Sequence, residues 1–233
     1  MSTPYYNIDQ ALNPAVSSVA SRSEFIMRTY HHVFGAILGF VGLQILFFKL
    51  GWADQIAHAM LSVNWLWILG AFMVVGWLAT HTAHTAQSLP AQYLALGGFV
   101  LAEAIIFIPM LYIANHFAPG AIASAAWVTF AGFAALTGVA FATRKNFSFL
   151  GSMLRWSFIA ALIAIVAGLI FGFHLGTWFS VLMVFLAGAA VLYDTSNIIH
   201  EYPEDRYVGA ALALFASIAL MFWYVLRFFI DRR

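Results

Sequence analysis

Seven long apolar runs dominate the chain and constrain its fold more than any other feature. Each holds about 20 mostly apolar residues, the length that a helix needs to cross a bilayer. The runs are continuously apolar and do not alternate, which excludes membrane strands. We therefore predict an all-α integral membrane protein, a bundle of seven transmembrane helices. The predicted spans are residues 32–50, 65–86, 92–114, 121–142, 156–174, 177–199 and 208–230.

The composition supports a membrane protein and excludes several other classes. Of the 233 residues, 64% are hydrophobic and 8% are charged, whereas soluble domains average about 25% charged residues. The lipid bilayer is therefore the first predicted partner. The formal net charge of +1 predicts no nucleic-acid partner, because such proteins carry a basic stripe. The absence of cysteine excludes disulfides and thiolate metal sites.

The ends of the chain raise the question of orientation. Residues 1–31 are predicted to form a polar tail, and residues 32–233 the transmembrane domain. A re-entrant last segment, which would leave both ends on one side, is an alternative to seven full spans. The length of 208–230 favours seven full spans.

The distribution of basic residues predicts the orientation of the chain. Lys and Arg concentrate on cytoplasmic loops, and their bias favours a cytoplasmic N-terminus. The N-terminal side would hold Arg22, Arg28, Arg144, Lys145, Arg155 and Arg206, and the other side Lys49, Arg227, Arg232 and Arg233.

Four ionisable groups inside or at the ends of the spans are candidates for function. Glu103 and Asp194 lie within predicted spans, where a charged group costs at least roughly 2.5 kcal/mol. Such groups usually face the bundle interior and mark ion or proton paths. The alternatives are that Asp194 is drawn to the membrane surface and that Glu103 is a protonated structural group. His81 and His84 form either a pH-sensitive pair or an ordinary interfacial pair.

No enzymatic pattern stands out in the sequence. A nucleophile elbow, a phosphate-binding loop and an HExxH motif are all missing, so we predict no enzyme and no cofactor. The three-residue spacing of His81 and His84 has no third ligand at a defined spacing, which disfavours a stable metal site. The charged loop 201–206 is interpreted as solvated, with no chemistry of its own.

Several stretches resemble the Bax inhibitor-1 family, including its bacterial YccA-like branch. The stretches FATRKNFSFLG (141–151) and LYDTSNIIH (192–200) carry the resemblance most specifically. FIMRTYHHVF (25–34) resembles the family's entry to its first span, and ALALFASIALMFWYVLRFF (211–229) its last span. The resemblance extends over about residues 22–230.

The resemblance implies a structure and an activity. The last helix would be surrounded by the other six. The activity would be a pH-sensitive calcium leak, closed when two intramembrane aspartates share a proton. Asp194 matches one aspartate, but Ser217 stands at the position of the other, so the pair is broken. Asp194 would then titrate alone unless Glu103 lies near, and Ser217 could donate it a hydrogen bond. Asp194, Glu103, Ser217 and His81 are accordingly the predicted ion-pathway and pH-sensing residues, and Asp194 would contact Ca²⁺ transiently.

Two functions follow from these observations. The main prediction is a pH-sensitive calcium (cation) leak channel in a bacterial inner membrane, with no cofactor other than transient Ca²⁺. The alternative is a non-transporting protein that modulates a membrane-anchored AAA protease or supports stress survival, as implied by the YccA-like branch. The missing second aspartate and the polar tail 1–31 favour this alternative.

Overall fold

The computed structural model describes residues 14–86 and 88–232, with side chains from Ser21 onward. The described residues form eight α-helices and contain no strand. In chain order they are α1 Pro14–Lys49, α2 Trp52–Leu61, α3 Trp65–Thr85, α4 Leu89–Phe117, α5 Ala121–Thr143, α6 Leu150–Phe171, α7 Gly176–His200 and α8 Tyr207–Asp231.

All of these helices except α2 are long and apolar enough to cross a membrane. The predicted seven-span fold is therefore confirmed. Helix α8 runs without a break from Tyr207 to Asp231, so the re-entrant alternative is wrong. We call the end of the bundle that holds the start of α1 and the α7–α8 connection the N-terminal face, and the opposite end the C-terminal face. Which face meets the cytoplasm stays a prediction.

Helix α2 occupies a stretch that the predicted spans leave as a connection. Gly51, at φ +72°, separates it from α1, and glycine adopts this left-handed conformation without steric cost. Ala53 and Ala57, four residues apart, are buried on one face of α2. Its 10 residues extend about 15 Å, too short to cross the bilayer. Hydropathy alone does not reveal such a short helix on the C-terminal face.

Helix α1 begins well before the first predicted span. It starts at Pro14, and its candidate span starts at Ser21. The helix continues through polar residues because its hydrogen bonds are made within the backbone and do not depend on apolar side chains. Residues 1–13 of the predicted tail lie outside the described residues. The division of the chain at residue 31 stays a prediction.

Helix α8 lies at the centre of the bundle. It packs directly on α1, α3, α4, α5 and α7, and 67% of its most apolar window is buried, the largest share of any span. Helix α6 lies outside these neighbours and reaches α8 through side chains, because its Ala161 shares an apolar cluster with Met183 and Tyr224. The closest backbone approach is at Gly209, where an added Cβ would lie 2.9 Å from the Ala83 carbonyl oxygen. The helix predicted to be central therefore holds that position.

The outer surface of the bundle is apolar. Large side chains with more than 70% of their surface exposed include Trp67, Leu94, Phe171, Trp178 and Phe185. A protein in water would not expose so many large apolar groups together. They are suited to lipid contact, and tryptophan is typical of the membrane boundary. The surface agrees with a multi-pass membrane protein.

Candidate functional site

A contact between Asp194 of α7 and Ser217 of α8 lies in the interior of the bundle. Ser217 Oγ donates a hydrogen bond to Asp194 Oδ2 over 2.5 Å. Each residue is only 9% exposed. Asp194 therefore points towards α8, and the alternative that it reaches the membrane surface is wrong. The hydrogen bond that the sequence suggested is present, whereas its role in an ion pathway stays a prediction.

The sequence of α7 explains why Asp194 points inward. Val191 and Ile198 are fully buried, and their spacing from Asp194 places all three residues on one helix face. That face packs along α8, where Ser217 is also buried. The connection 201–206 is short, so the two helices are antiparallel neighbours. Asp194 is thus carried into the core by the apolar residues around it.

Tyr202 and His84 lie on the N-terminal side of this contact. Burial raises the pKa of the Tyr202 phenol well above its ordinary value, and the nearby charge of Asp194 raises it further. Tyr202 therefore keeps its proton. His84 Nε2 lies 3.0 Å from the Tyr202 hydroxyl, and His84 Nδ1 lies 3.0 Å from the Thr80 carbonyl. Because a carbonyl can only accept, Nδ1 carries the proton of the neutral ring, and Tyr202 donates to Nε2.

Arg22 joins the start of α1 to the end of α7. Its Nε donates to the Ile199 carbonyl over 3.0 Å, and its two terminal nitrogens donate to the carbonyls of Tyr202 and Asn197. The last carbonyls of a helix have no partner within the helix, and a cation near them also offsets the helix dipole. We call Arg22 and these three carbonyls the Arg22 cluster. It holds the N-terminal face together.

The two stretches that carry the family resemblance meet at the same face. Ser196 Oγ accepts a hydrogen bond from the Phe147 backbone N–H over 2.8 Å. Gly151 lies against the ring of Tyr193, where an added Cβ would be 2.9 Å from the ring. These residues therefore fasten the α5–α6 connection to α7. Asp194, in contrast, is turned towards α8.

The charged loop 201–206 exposes Glu201, Glu204 and Asp205, in agreement with the solvated loop that the sequence predicts, and it also makes hydrogen bonds across the N-terminal face. Glu201 accepts a hydrogen bond from Asn146 over 2.8 Å, and Glu204 accepts one from Ser21 over 3.1 Å. Arg206 donates to the Ala86 carbonyl over 2.7 Å. The loop thereby contacts α1, the end of α3 and the α5–α6 connection. That the loop has no chemistry of its own stays a prediction, and its hydrogen-bond partners were not predicted because they lie far away in the sequence.

Glu103 lies on α4 beside a cavity of about 690 Å³. It is 7% exposed. Ser217 lines the same cavity, whereas Asp194 does not. The cavity is lined by residues of α3, α4, α6 and α8, with the end of α2 at one side. The structure thus brings Glu103 and Ser217 to one cavity and leaves Asp194 on the far side of Ser217.

His81 lies apart from this group. It is exposed on α3, and its ring stacks on Trp77 with centroids 5.4 Å apart. His84, one turn later, points inward and contacts Tyr202. The sequence singled out His81, but it is His84 that the fold brings towards Asp194. Only tertiary contacts distinguish two histidines at this spacing.

The described residues contain no group of three or more His, Asp or Glu side chains able to hold a metal ion. Calcium usually takes six to eight oxygen ligands. One oxygen of Asp194 is already bound by Ser217. A transient contact between Asp194 and Ca²⁺ stays a prediction.

Comparison with known families identifies the chain. A family model described as "Inhibitor of apoptosis-promoting Bax1" matches residues 22–233. The chain belongs to the Bax inhibitor-1 family. The match begins at Arg22 and includes every element of the site described above.

Three relatives give this membership a bacterial context. The chain is 36% identical over 83 residues to "Modulator of FtsH protease YccA" of Escherichia coli K12, which covers 34% of this chain and 36% of that protein. "Inner membrane protein YccA" of Escherichia coli O6:H1 matches to the same extent. "Uncharacterized protein PA2604" of Pseudomonas aeruginosa is 29% identical over 217 residues, or 91% of this chain and 80% of that protein. The match thus spans just over a third of the two E. coli proteins.

Sequence reasoning missed Arg22, Tyr202 and His84 as a connected group. Arg22 and its carbonyl partners are separated by 175 to 180 residues, and His84 and Tyr202 by 118. No local spacing signals such contacts. The one feature of the sequence that pointed to this group was Tyr202, a tyrosine in a charged loop directly after a transmembrane helix.

We expect Arg22→Ala to destabilise the fold. Hydrogen bonds to a charged group contribute about 1.5–3 kcal/mol, so the free energy of unfolding should fall by about 2–3 kcal/mol. The measurement is reversible unfolding in mixed micelles. The matched control is Arg155→Ala, because Arg155 is exposed and its loss should change stability by less than about 0.5 kcal/mol. Equal effects of the two substitutions would contradict a role of Arg22 in holding the N-terminal face.

We expect Ser217→Ala to lower the free energy of unfolding by about 1–3 kcal/mol, because the buried Asp194 carboxyl loses its donor. Asp194→Asn should cost less, since its amide oxygen can still accept from Ser217. Unfolding of Ser217→Ala, Asp194→Ala and their double variant gives the coupling energy, because each of these single substitutions removes the hydrogen bond. Ser152→Ala, at an exposed serine, is the control. A coupling energy near zero would show that the hydrogen bond does not stabilise the bundle.

Proposed function

We propose that this protein is a non-transporting modulator of a membrane-anchored AAA protease in a bacterial inner membrane. A family relative from E. coli is named a modulator of FtsH protease, and another is named an inner membrane protein. The match spans 36% of the length of each. As part of the proposal, we extend to this chain the protease partner and the membrane location that the names of those relatives give.

The observation that carries the proposal is the closed N-terminal face. Ser217 holds Asp194, the residue that the family resemblance assigns to a pore. Tyr202 and His84 cover it on the N-terminal side. The Arg22 cluster ties the first span to the sixth. This arrangement favours a compact protein that binds a partner over an open conduit.

A bundle closed in this way is suited to resisting a protease. Helix α1 continues beyond its span to Pro14, so the first residues of this helix lie on the N-terminal face, where a protease can engage them. A protease that engages them must break the Arg22 cluster before it can extract the first span. Proteolysis depends on how often, or how fast, the native state opens. A slowly opening chain keeps the protease occupied and thereby lowers its activity on other proteins.

The mechanism also requires an orientation. An AAA protease consumes ATP, which is available in the cytoplasm, so the N-terminal face must be cytoplasmic. The excess of Arg and Lys on that side supports this orientation. We therefore propose a cytoplasmic N-terminus and a C-terminus on the opposite side of the membrane.

Co-reconstitution with E. coli FtsH in proteoliposomes tests the proposal. We expect the intact chain to slow ATP-dependent degradation of a fluorescent membrane substrate at least roughly twofold at saturating ratios. A variant that lacks residues 2–13 should lose this effect, because the protease has less polar chain to engage. Asp194→Asn is the control and should inhibit like the intact chain. Undiminished degradation in the presence of the intact chain would contradict the proposal.

A pH-sensitive calcium leak is the second candidate function. The observation in its favour is that Glu103 and Ser217 line one cavity, with Asp194 directly behind Ser217. Conduction would require the hydrogen bond between Ser217 and Asp194 to open. The cavity would then extend towards the N-terminal face, past Tyr202. Protonation of the two carboxyl groups would supply the pH sensitivity.

Calcium influx into proteoliposomes with an internal indicator tests this second function. If the protein conducts, Asp194→Asn should reduce the influx at least about fivefold, because a carboxylate on the path would be lost. His81→Ala, on the exposed side of α3, should leave the influx unchanged. Influx no faster than in empty liposomes at every pH between about 5 and 8, the range in which histidine changes its charge, would exclude this function.

A further inference from the structure

The cavity beside Glu103 has the dimensions of a binding site for a small organic molecule. Its volume of about 690 Å³ lies within the roughly 300–1,000 Å³ typical of such sites. Arg227 and Asp231, at the end of α8, line its outer part. Their side chains are each 31% exposed, so this end meets the C-terminal face. Ser217 and Glu103 line the inner part.

Glu103 is an unusual group in this position. Its side chain is more than nine-tenths buried, and it makes no hydrogen bond or ion pair with any of the residues that the structure describes. Burying a carboxylate without a partner is costly. Asp194, at a similar burial, has Ser217 as a donor. Glu103 therefore has an unused capacity to bind a donor or a positive charge that enters the cavity.

Aromatic rings form much of the remaining wall. Trp65 and Trp223 stack with ring centroids 6.4 Å apart, and Phe107 meets Trp223 edge-on at 4.9 Å. The other aromatic residues of the lining are Phe72, Phe99, Phe158 and Tyr224. The faces of such rings attract cations, with tryptophan the strongest. The same rings provide a large apolar surface.

The lining does not fit a divalent metal ion. Its oxygen-bearing side chains are Glu103, Ser217, Tyr224 and Asp231, whereas calcium takes six to eight oxygens. Asp231 lies 14 residues beyond Ser217, about 21 Å along the helix axis, so these oxygens do not converge. The charge of Arg227 is offset by Asp231, whose Oδ2 lies 3.7 Å from its Nε, which lowers the barrier to an entering cation.

We propose that this cavity binds a hydrophobic organic cation, with Glu103 as its counter-ion and the aromatic rings around its apolar body. The molecule enters from the C-terminal face, past Arg227 and Asp231. Its positive charge supplies the partner that Glu103 lacks. The site is separated from the N-terminal face by the contact between Ser217 and Asp194. It is therefore independent of the proposed action on a protease, and either proposal can fail alone.

Binding of tetraphenylphosphonium to the full chain in phosphatidylcholine nanodiscs tests this inference. We expect saturable binding with one molecule per chain, after subtraction of empty nanodiscs. Uncharged triphenylphosphine oxide, similar in shape, should bind at least about tenfold more weakly, because it cannot pair with Glu103. No saturable binding, or equal binding of the neutral compound, would overturn the proposal.

Three variants locate the site. Glu103→Gln should weaken tetraphenylphosphonium binding at least about tenfold, because the buried counter-ion is lost. Glu103→Asp should retain most of the affinity, which separates loss of charge from a folding defect. Asp231→Asn, at the exposed mouth, should change the affinity less than about threefold. Unchanged binding by Glu103→Gln, or displacement of the probe by submillimolar calcium, would overturn the proposal.

Discussion

The packing of α7 along α8 determines the position of every other part of the site. It brings Asp194 and Ser217 into hydrogen-bond contact and places the short connection 201–206 over the N-terminal face. Where the backbone leaves the helix, the freed carbonyls need donors, because the apolar interior offers none. Arg22 supplies those donors from the first span. The face is therefore built around the end of one helix hairpin.

The two carboxyl groups that the described part of the chain buries in the bundle, Asp194 and Glu103, have different surroundings. Asp194 is satisfied by a neighbouring helix, so its main observable role is to join α7 to α8. Glu103 has a cavity in place of a partner. The sequence grouped the two residues because both are costly in lipid. The structure separates them, since a donor is present beside one and space is present beside the other.

Features that depend on neighbouring residues were predictable from the sequence, whereas contacts between residues far apart in the chain were not. The seven spans were predictable because hydropathy is a local property, and the inward position of Asp194 agreed with the cost of a charged group in lipid. Helix α2 was missed because a 10-residue helix leaves a weak signal. Which of His81 and His84 points inward depends on helices that meet only in the folded bundle, and so do the contacts of Arg22. The Ser217 donor was anticipated from the family resemblance, which carries tertiary information that a single sequence lacks.

The separation of Arg22 from its partners has a consequence for biosynthesis. The carbonyls that it binds belong to residues 197–202, so nearly the whole chain must leave the ribosome before the Arg22 cluster can assemble. Contacts of such long range form late because the intervening chain must first be ordered. Until then the first span sits in the bilayer with its guanidinium unattached to the rest of the bundle. Assembly of the Arg22 cluster thus requires that the first six spans have been synthesised, since its carbonyls lie at or just after the end of the sixth span and precede Tyr207.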